Sequence, residues 1–469
     1  MHWRTLWAVV WWSGLRLLAA DWPQFLGPTA NGVSTETGLI DRLPTNGPTR
    51  IWARTIGTGY SAPSIRDGRL VLFHRESDQE IVECLGAATG KTLWKHQDPS
   101  SFRDPYGYNN GPRCSPLLTD EYCYTFGAEG RLLCLNIKDG SVVWRRETSR
   151  EFEVPEAFFG VGSTPILEGG RLIVALGGQP NSGVVAFDPK TGKTLWQSVG
   201  NSCWAGVVAI GWRGEPPYRW TGVEKSASYA SPIAAMIHGK RHLFCLMRQG
   251  LVSLDPTNGA VNFVRWFQSQ ANDSVNAMTP LVVVDQVLIS AAYYRVGSVL
   301  LRITPGGEGF DEVWRHPRSP FERNLSTGTF EMPTLEMHWS QPILVQGMLY
   351  GFSGRNEPDA SLRCVELGSG KLRWERSERW SHPAPGSEAQ PKVFGRGAMI
   401  FADGRLIALG EGGMLGLFKP SPDRCEELGR WQVPEMHYPC WAGPVLSDQR
   451  LYLRSENQLI CLEFAAKRL

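Results

Sequence analysis

A short pattern recurs along the chain and constrains its fold more than any other feature. An apolar run ends in a turn that contains glycine, and the next apolar run ends in a tryptophan four residues after that glycine. The clearest copies are VECLGAATGKTLW at 82–94, LLCLNIKDGSVVW at 132–144, VVAFDPKTGKTLW at 184–196 and LRCVELGSGKLRW at 362–374. Self-similarity of this kind predicts an array of equivalent structural units.

The copy that ends at Trp196 shows what one unit contains. Its four short apolar runs are Thr164–Leu167, Arg171–Leu176, Val184–Phe187 and Lys193–Trp196, and turns rich in Gly, Asp and Pro separate them. Runs of this length between turn residues are typical of strands and too short for helices. Successive hairpins would then give one four-stranded antiparallel sheet in each repeat.

The repeats predict an all-β fold, an eight-bladed β-propeller over residues 51–469. Eight second strands are recognisably alike: RLVLFH, YCYTFG, RLIVALG, HLFCLMR, QVLISAA, MLYGFSG, RLIALGE and RLYLRSE. The last repeat ends soon after LICLE at 459–463 and lacks its Gly…Trp strand, whereas a spare one, GPTRIW, lies at 47–52. We therefore expect the N-terminal strand around Ile51–Arg54 to complete the last blade and to leave no open sheet edge.

The N-terminal segment indicates export. Residues 1–20 combine a basic start, an apolar middle and small residues before Asp21, as in a secretory signal peptide. Arg16 and Leu18 depart from that pattern, so an uncleaved signal anchor is the alternative. Residues 21–50 form an arm before the propeller, and no later stretch has the ~18 apolar residues of a membrane helix. We expect a periplasmic or extracellular monomer.

Charge and cysteine usage exclude some classes of protein. The chain has 48 Lys and Arg against 46 Asp and Glu, and no basic stripe suggests binding to nucleic acid. Four of its ten cysteines occupy one register of the repeat, and we interpret them as small buried hydrophobic residues; they are Cys84, Cys134, Cys364 and Cys461. Cys203 and Cys440, each in a CWAG segment, are a possible disulfide.

The segment AFDPKTGKTLW at 186–196 resembles the tryptophan-docking repeat of the pyrroloquinoline-quinone-like (PQQ-like) propellers. That superfamily includes quinoprotein alcohol dehydrogenases and the propeller of the outer-membrane barrel-assembly machinery. DWPQFLGP at 21–28, GPRCSP at 111–116 and VNAMTPLVVVDQVLISAAYY at 275–294 resemble its exported single-propeller members. The resemblance implies that one aromatic residue per blade docks against the neighbouring blade: Trp52, Trp94, Trp144, Trp196, Phe263, Trp314, Trp374 and Trp431.

The resemblance leaves the activity open. The dehydrogenases typically carry a disulfide between adjacent cysteines, a carboxylate base and Ca²⁺ ligands, and this chain has no Cys-Cys pair. We therefore favour a non-catalytic binding or scaffolding module with no cofactor, and an unidentified protein or carbohydrate as partner. The alternative is a PQQ-dependent alcohol or aldose dehydrogenase with quinone and calcium in the central funnel. His437, Cys440 and His338 are too isolated to predict a metal site.

Candidate binding residues lie where the chain enters the innermost strand of a blade, because these positions face the funnel. FRDPYGYNNGPR at 102–113 contributes Asn110 and Arg113, and Arg113 could hold a carboxylate or phosphate. Aromatic residues stand at the same point of other repeats: Tyr60, Tyr229, Trp339 and Trp441. They could stack on a flat ring, a sugar or a quinone, or they could fill the axis, which we favour. Glu411, in GEGG at 410–413, is expected at a solvated turn.

Overall fold

The computed structural model describes residues 21–155, 159–204, 208–209, 218–219, 229–269, 274–318, 326–355, 360–378 and 393–466. Within these residues, eight four-stranded antiparallel sheets are arranged as blades, and the strands of each blade pair with their neighbours in chain order. The prediction of an all-β, eight-bladed propeller is confirmed. No helix in this part of the chain has the length and apolar content needed to cross a membrane. Residues 1–20 lie outside the described residues.

The blades are numbered here from the first complete sheet. The strands of the first four are Ser64–Arg66, Arg69–Glu76, Gln79–Gly86 and Thr92–Pro99 in blade 1; Leu117–Leu118, Tyr122–Phe126, Arg131–Asn136 and Val142–Glu147 in blade 2; Ile166–Glu168, Arg171–Gly178, Ser182–Phe187 and Thr194–Ser198 in blade 3; and Ile233–Ile237, Lys240–Leu246, Gly250–Leu254 and Val261–Trp266 in blade 4. The first strands of blades 1, 2 and 3 are short, with two or three residues each, whereas that of blade 4 has five.

The second half of the ring repeats this plan. Its strands are Leu281–Val283, Gln286–Ala291, Gly297–Ile303 and Phe310–His316 in blade 5; Ile343–Val345, Met348–Ser353, Ser361–Glu366 and Leu372–Ser377 in blade 6; Gly397–Ala402, Arg405–Gly410, Met414–Lys419 and Glu426–Gln432 in blade 7; and Val445–Ser447, Arg450–Arg454, Gln458–Glu463 and Arg50–Thr55 in blade 8. Elements outside the blades are the helix Thr148–Glu151, the 3-10 helices Asn201–Trp204 and Tyr293–Arg295, and a small sheet of Val208–Ala209 and Tyr218–Arg219.

The middle strands of each blade are buried on both faces. In blade 3, nearly all of Arg171–Gly178 and the whole of Ser182–Phe187 are buried, whereas the outer strand Thr194–Ser198 is mostly exposed or half-buried. A short continuous apolar run is the sequence signature of such a strand. The core is therefore divided into layers between adjacent blades, and each blade needs both neighbours to bury its faces.

Indole groups connect adjacent blades. Trp144, in the outer strand of blade 2, donates a hydrogen bond of 2.9 Å from Nε1 to the carbonyl oxygen of Pro189 in blade 3. The same bond from one blade to the next is made by Trp52 to Ala87, Trp94 to Ile137, Trp196 to Pro256, Trp314 to Leu367 and Trp374 to Ser421, at 2.7–3.1 Å. In blade 4 the equivalent Phe263 has no N–H group, and its ring packs against Phe310 of blade 5 at 5.1 Å.

The repeat glycine is required for two reasons. Gly192 has a φ of +68°, in the left-handed region that favours glycine, and its N–H group closes the turn onto the Asp188 carbonyl oxygen at 2.9 Å. A Cβ atom on Gly192 would also lie 2.7 Å from Cδ2 of Trp144. The same indole-on-glycine contact is made at Trp52/Gly90, Trp94/Gly140, Trp196/Gly259, Trp314/Gly370 and Trp431/Gly47.

Small polar residues beside proline join the first strands of neighbouring blades. The Ser64 hydroxyl donates a hydrogen bond to the Pro116 carbonyl oxygen, from blade 1 to blade 2. From blade 3, the Thr164 hydroxyl oxygen accepts the Ser115 N–H of blade 2 at 3.2 Å, and the Thr164 N–H donates to the Ser231 hydroxyl of blade 4 at 3.0 Å. The Ser/Thr-Pro signal of the first strands therefore marks contacts between blades as well as strand starts.

The chain ends meet in blade 8. Arg50–Thr55 pairs antiparallel with Gln458–Glu463, with Trp52 opposite Cys461 and Ala53 opposite Ile460. The expected closure is confirmed. Trp52 then docks onto blade 1, so the strand that completes the last blade also carries the contact to the first blade.

The N-terminal arm closes one end of the central channel. Trp22 exchanges backbone hydrogen bonds of 2.8 and 2.9 Å with Ile65 of blade 1, and the Pro23 carbonyl oxygen accepts the Leu118 N–H of blade 2. Further along, Gly32 lies against Ile343 of blade 6. Blades 2 and 6 are opposite one another in a ring of eight, so the arm extends across the axis from the first strand of blade 2 to the first strand of blade 6.

Cysteine residues remain unpaired. The four cysteines of the repeat register are buried free thiols, as expected from their position. The possible disulfide between Cys203 and Cys440 is wrong, because both are free thiols and they lie in different hydrophobic clusters of the core. Cys440 Sγ instead donates to the His437 carbonyl oxygen.

Gly192→Ala tests the indole-on-glycine contact. The substitution should lower the free energy of unfolding by about 2–5 kcal/mol, the sum of a left-handed backbone with a Cβ atom and an overpacked contact with Trp144. Gly170→Ala, in the same blade, is the matched control because Gly170 has a φ of +74° and a Cβ atom added there would meet no other atom within 4 Å. It should cost only the backbone part, about 1–2 kcal/mol. Equal losses in urea unfolding would contradict the role given to the indole.

Glu83 connects the closing strand to blade 1 and makes stability depend on acid pH. Its side chain lies 3.0 Å from Nη2 of Arg54 and 3.3 Å from Nε2 of His74. Burial alone would raise the pKa of Glu83, but the hydrogen bonds from His74 and Thr92 and the charges of Arg54 and Lys95 bring it down to about 2. A lowered carboxyl pKa stabilises the fold above the ordinary value of 4.5, and this stabilisation is lost as the pH falls toward 2.

We expect Glu83→Gln to lower the free energy of unfolding by about 2–3 kcal/mol at pH 7. The difference from wild type should shrink between pH 4.5 and pH 2, because the Glu83 carboxyl of the unfolded chain is protonated below about pH 4.5, whereas that of the folded protein stays ionised until the pH approaches 2. Glu76→Gln, at a more exposed carboxylate in the neighbouring strand, is the control and should change little. Chemical denaturation across this pH range measures both; a pH-independent difference would show that Glu83 stabilises by packing alone.

Candidate functional site

A cavity of about 200 Å³ lies on the propeller axis, beside the residues that lead into the innermost strands. Every blade contributes at least one lining residue, and the arm contributes Phe25. The lining comprises Phe25, Tyr60, Tyr108, Arg113, Phe159, Gly162, Thr164, Tyr229, Ser231, Val275, Ala277, Tyr293, His338, Trp339, Arg396 and Trp441. Among the described residues, Phe25 of the arm lines one side of the cavity, and the other lining residues come from the blades and the loops that precede their first strands.

Five of the six predicted site residues meet in this cavity: Tyr60, Arg113, Tyr229, Trp339 and Trp441. Asn110 is not a lining residue. Its Oδ1 accepts the Asp104 N–H at 2.7 Å, and its carbonyl oxygen accepts a bond from Arg75, so it holds its own loop in shape. The expectation that these aromatic residues fill the axis is wrong, because they surround a cavity. That these residues bind a ligand stays a prediction.

The aromatic side chains form a continuous ring around the cavity. Successive ring centroids are 5.3 Å apart for Tyr293 and His338, 4.9 Å for His338 and Trp339, 5.4 Å for Trp339 and Trp441, 5.4 Å for Trp441 and Tyr108, 5.9 Å for Tyr108 and Phe159, and 5.7 Å for Phe159 and Tyr229. Tyr293 packs in one cluster with Phe159 and Tyr229, which completes the circle. Tilted and edge-on contacts of this kind stabilise aromatic pairs beyond the area they bury.

Two arginines flank a pair of adjacent, tilted rings on one side of the wall. The Arg396 guanidinium lies 5.5 Å from the Trp441 ring, Trp441 lies 4.7 Å from Tyr60, and Tyr60 lies 5.6 Å from the Arg113 guanidinium. These four residues come from blades 7, 8, 1 and 2 in order. Cation–π contacts at both ends therefore hold this pair of rings across the junction of the two chain ends.

Glu411 neutralises Arg396 from inside the protein. Its Oε2 accepts bonds from Nε of Arg396 at 2.9 Å and from Nε1 of Trp441 at 3.2 Å, and its Oε1 accepts the Arg396 N–H at 2.8 Å. The expectation of a solvated turn is wrong: Glu411 lies between two strands as predicted, yet it is completely buried. Burial raises the pKa of Glu411, and the Arg396 guanidinium opposes that rise. The sequence signal was the glycines around it, because a Cβ atom on Gly410 or Gly413 would lie 2.4 Å from the Phe394 carbonyl oxygen or 2.6 Å from the Met436 carbonyl oxygen.

Asp104 neutralises the charge of Arg113 in the same way. The two side chains are joined at 2.5 Å, and Arg113 also donates to the carbonyl oxygens of Gly111 and Asn109. Asp104 is fully buried in the loop that leads into blade 2. The counter-charge that a ligand carboxylate could have supplied to Arg113 is thus already present.

His338 and the two wall tyrosines provide neutral polar groups. Burial, together with the charges of Arg396 and Arg355, lowers the pKa of His338 to about 3, so its imidazole is neutral at physiological pH. Within the described part of the chain, Nδ1 of His338 and Nε1 of Trp339 have no hydrogen-bond partner. The Tyr229 hydroxyl accepts the Phe159 N–H at 2.8 Å, and the Tyr60 hydroxyl accepts the Asn109 N–H at 3.4 Å.

The eight sheets and their axial cavity define this chain as a β-propeller with a funnel site. Its sequence matches the family model described as outer membrane protein assembly factor BamB over residues 77–375, more than half of the chain. The protein belongs to this family of PQQ-like propellers. Among curated proteins, no sequence matches significantly.

Solved structures with the same fold include enzymes and an assembly factor. The quinohemoprotein alcohol dehydrogenase from Comamonas testosteroni superposes with a TM-score of 0.61 at 13% identity, covering 96% of this chain and 81% of the enzyme. A europium-containing methanol dehydrogenase gives 0.64 at 10% identity, with coverage of 92% and 89%. BamB from Moraxella catarrhalis gives 0.53 at 13% identity, with coverage of 90% and 99%. At such identities the likeness shows the fold alone.

The residues of the funnel do not fit a quinone held with a metal ion. Ca²⁺ takes six to eight oxygen ligands, and the described residues contain no group of three His, Cys, Asp or Glu that could hold a metal. None of the described lining residues is Asp or Glu, and both lining arginines are paired with buried carboxylates. The cavity is also smaller than the roughly 300–1,000 Å³ of sites for drug-sized ligands.

Glu411→Gln should destabilise the protein by about 3 kcal/mol or more, because it leaves the Arg396 charge buried without its counter-charge. The double variant Arg396→Gln/Glu411→Gln should recover part of the loss, since no charge is then left unpaired. Glu426→Gln, in the same blade, removes only partly exposed ion pairs and should cost less than about 1 kcal/mol. Thermal and urea unfolding measure all three; if Glu411→Gln behaves like Glu426→Gln, the buried pair does not support the wall.

Proposed function

We propose that this protein is an exported, non-catalytic binding propeller and that its ligand enters the funnel cavity. The observation that carries the proposal is the composition of the wall: a ring of aromatic side chains with each arginine already neutralised by a carboxylate of the chain. Such a wall offers stacking surfaces and hydrogen-bond donors. Export rests on the signal-like residues 1–20.

Proton transfer during oxidation of an alcohol needs a base within hydrogen-bond reach of the substrate. The described lining residues provide no carboxylate for this, because Asp104 and Glu411 are engaged behind the arginines. His338 is neutral, yet a pKa near 3 makes it a weak base. Binding is therefore the function that this chemistry supports best.

The fold of this chain is found both in enzymes and in an assembly factor. In the structural neighbours named as dehydrogenases the propeller belongs to an enzyme, and in BamB it belongs to an assembly factor. A protein or a carbohydrate partner is consistent with a funnel that presents aromatic rings. One fold hosts different functions, so the residues of the site decide.

The proposal is tested by titrating the purified protein with pyrroloquinoline quinone and CaCl₂, and by measuring dye reduction with primary alcohols and aldoses. We expect no saturable quenching of tryptophan fluorescence and no turnover, because the described lining of the funnel offers the quinone carboxylates no arginine without a carboxylate partner and offers the substrate no carboxylate base. A reconstituted quinoprotein dehydrogenase serves as the positive control for reagents. Saturable binding accompanied by dye reduction would overturn the non-catalytic function.

A further inference from the structure

We propose that the funnel binds a single uncharged sugar ring, either a free monosaccharide or the terminal unit of a glycan. This inference rests on the proposed function, that the funnel is a binding site, and adds the chemical class of the ligand. Four properties of the cavity carry it: it is closed at one end, it has room for one ring, its wall has no uncompensated charge, and its tyrosine hydroxyls have hydrogen atoms to donate.

The closed end restricts how a ligand can enter. The arm crosses the axis from Trp22 to Gly32, and Phe25 forms the floor of the cavity. A second, smaller cavity of about 50 Å³ lies beyond Phe25 and is also lined by Trp22 and Leu26 of the arm. Among the described residues, Phe25 separates the two cavities and is an obstacle to a polymer that would thread along the axis. The occupant must therefore be a small molecule or the free end of a longer chain.

The volume of the cavity and its aromatic walls favour a single sugar ring as the ligand. A volume of about 200 Å³ lies below the range for drug-sized ligands, so one six-membered ring with its substituents is the appropriate scale. Trp339 and Trp441 lie 5.4 Å apart at an interplanar angle of 46°, and the rings of Tyr108 and Phe159 continue the wall beyond them. The electron-rich faces of such rings attract the C–H groups of a pyranose, which carry partial positive charge.

The charge balance favours an uncharged ligand. Arg113 and Arg396 are the charged residues of the described lining, and each shares a short ion pair with a buried carboxylate, at 2.5 Å to Asp104 and 2.7 Å to Glu411. An anionic ligand would compete with these carboxylates for the arginines. A cationic ligand would meet both guanidinium groups without a free carboxylate in the described lining. A sugar avoids both penalties, because its polar groups are neutral hydroxyls.

The tyrosine hydroxyls match a ligand with oxygen acceptors. Those of Tyr60 and Tyr229 each use a lone pair to accept a backbone N–H bond, at 3.4 and 2.8 Å. Neither hydroxyl hydrogen has an acceptor in the described part of the chain, so both can donate to a ligand. Sugar hydroxyl and ring oxygens are such acceptors, whereas an aromatic side chain inserted by a protein partner would leave the Tyr60 and Tyr229 donors unused.

The test titrates the full chain with D-glucose, D-galactose, D-mannose and N-acetyl-D-glucosamine, followed by tryptophan fluorescence and saturation-transfer NMR. At least one neutral sugar should bind saturably, and an oligosaccharide ending in that unit should bind comparably. The matched uronic acid should bind at least about ten-fold more weakly, because burying its carboxylate without a free counter-charge is unfavourable. Failure of all these neutral sugars, or tighter binding of the uronic acid, would overturn the inference.

Substitutions in the wall of the cavity test whether the sugar binds in the funnel. Trp441→Ala should abolish binding. Tyr229→Phe, which keeps the ring and the fold, should weaken binding about 3- to 10-fold through the lost hydrogen bond. Tyr122→Phe, at a tyrosine outside the lining, should bind as wild type does. Sugar binding that is unchanged in both Trp441→Ala and Tyr229→Phe would overturn the inference.

The same titration separates the inference from the proposed function. Tight binding of N-acetyl-tyrosinamide, without binding of the neutral sugars, would indicate that an aromatic side chain of a partner occupies the funnel. The inference of a sugar ligand would then be wrong, whereas the proposed binding function would stand. Oxidation of the sugar in the presence of added quinone and dye would instead overturn the proposed function itself.

Discussion

The propeller depends on one repeated contact, in which the indole of one blade lies on the glycine turn of the next. The turn requires glycine at a positive φ, and the indole requires that no Cβ atom stand beneath it, as Gly192 and Trp144 illustrate. A hydrogen bond from the indole to a nearby carbonyl oxygen fixes its orientation. Because this contact, or the packing of Phe263 on Phe310 in its place between blades 4 and 5, joins each blade to the next, no blade is a stable unit alone, and the ring has to close.

Closure positions the site as well as the ring. The row of Arg396, Trp441, Tyr60 and Arg113 spans blades 7, 8, 1 and 2, and Arg50–Thr55 completes blade 8 by joining three strands from the other end of the chain. The arm that leads to this strand also brings Phe25 to the floor of the cavity. Residues 21–55 therefore decide whether the funnel has an intact wall and a closed end.

Periodicity made most of the fold and part of the site predictable from the sequence. Tyr60, Tyr229, Trp339 and Trp441 occupy equivalent positions before a first strand, and equivalent positions in a propeller lie at the same height on the axis. Asn110 shows the limit, because it shares the loop of Arg113 but turns its amide to the backbone of that loop. Repeat position gives the place of a residue, whereas the direction of a loop side chain depends on contacts that are distant in sequence.

The carboxylates behind the arginines escaped sequence analysis for the same physical reason, and they separate this funnel from one that holds an anionic cofactor. Asp104 and Glu411 look like ordinary loop residues, but the fold buries both and pairs them with Arg113 and Arg396. Breaking a buried ion pair costs about 3–5 kcal/mol, so an anion would have to offset that loss before it gained affinity. Arginines in a funnel therefore indicate an anion site only where the chain leaves them without a carboxylate of their own.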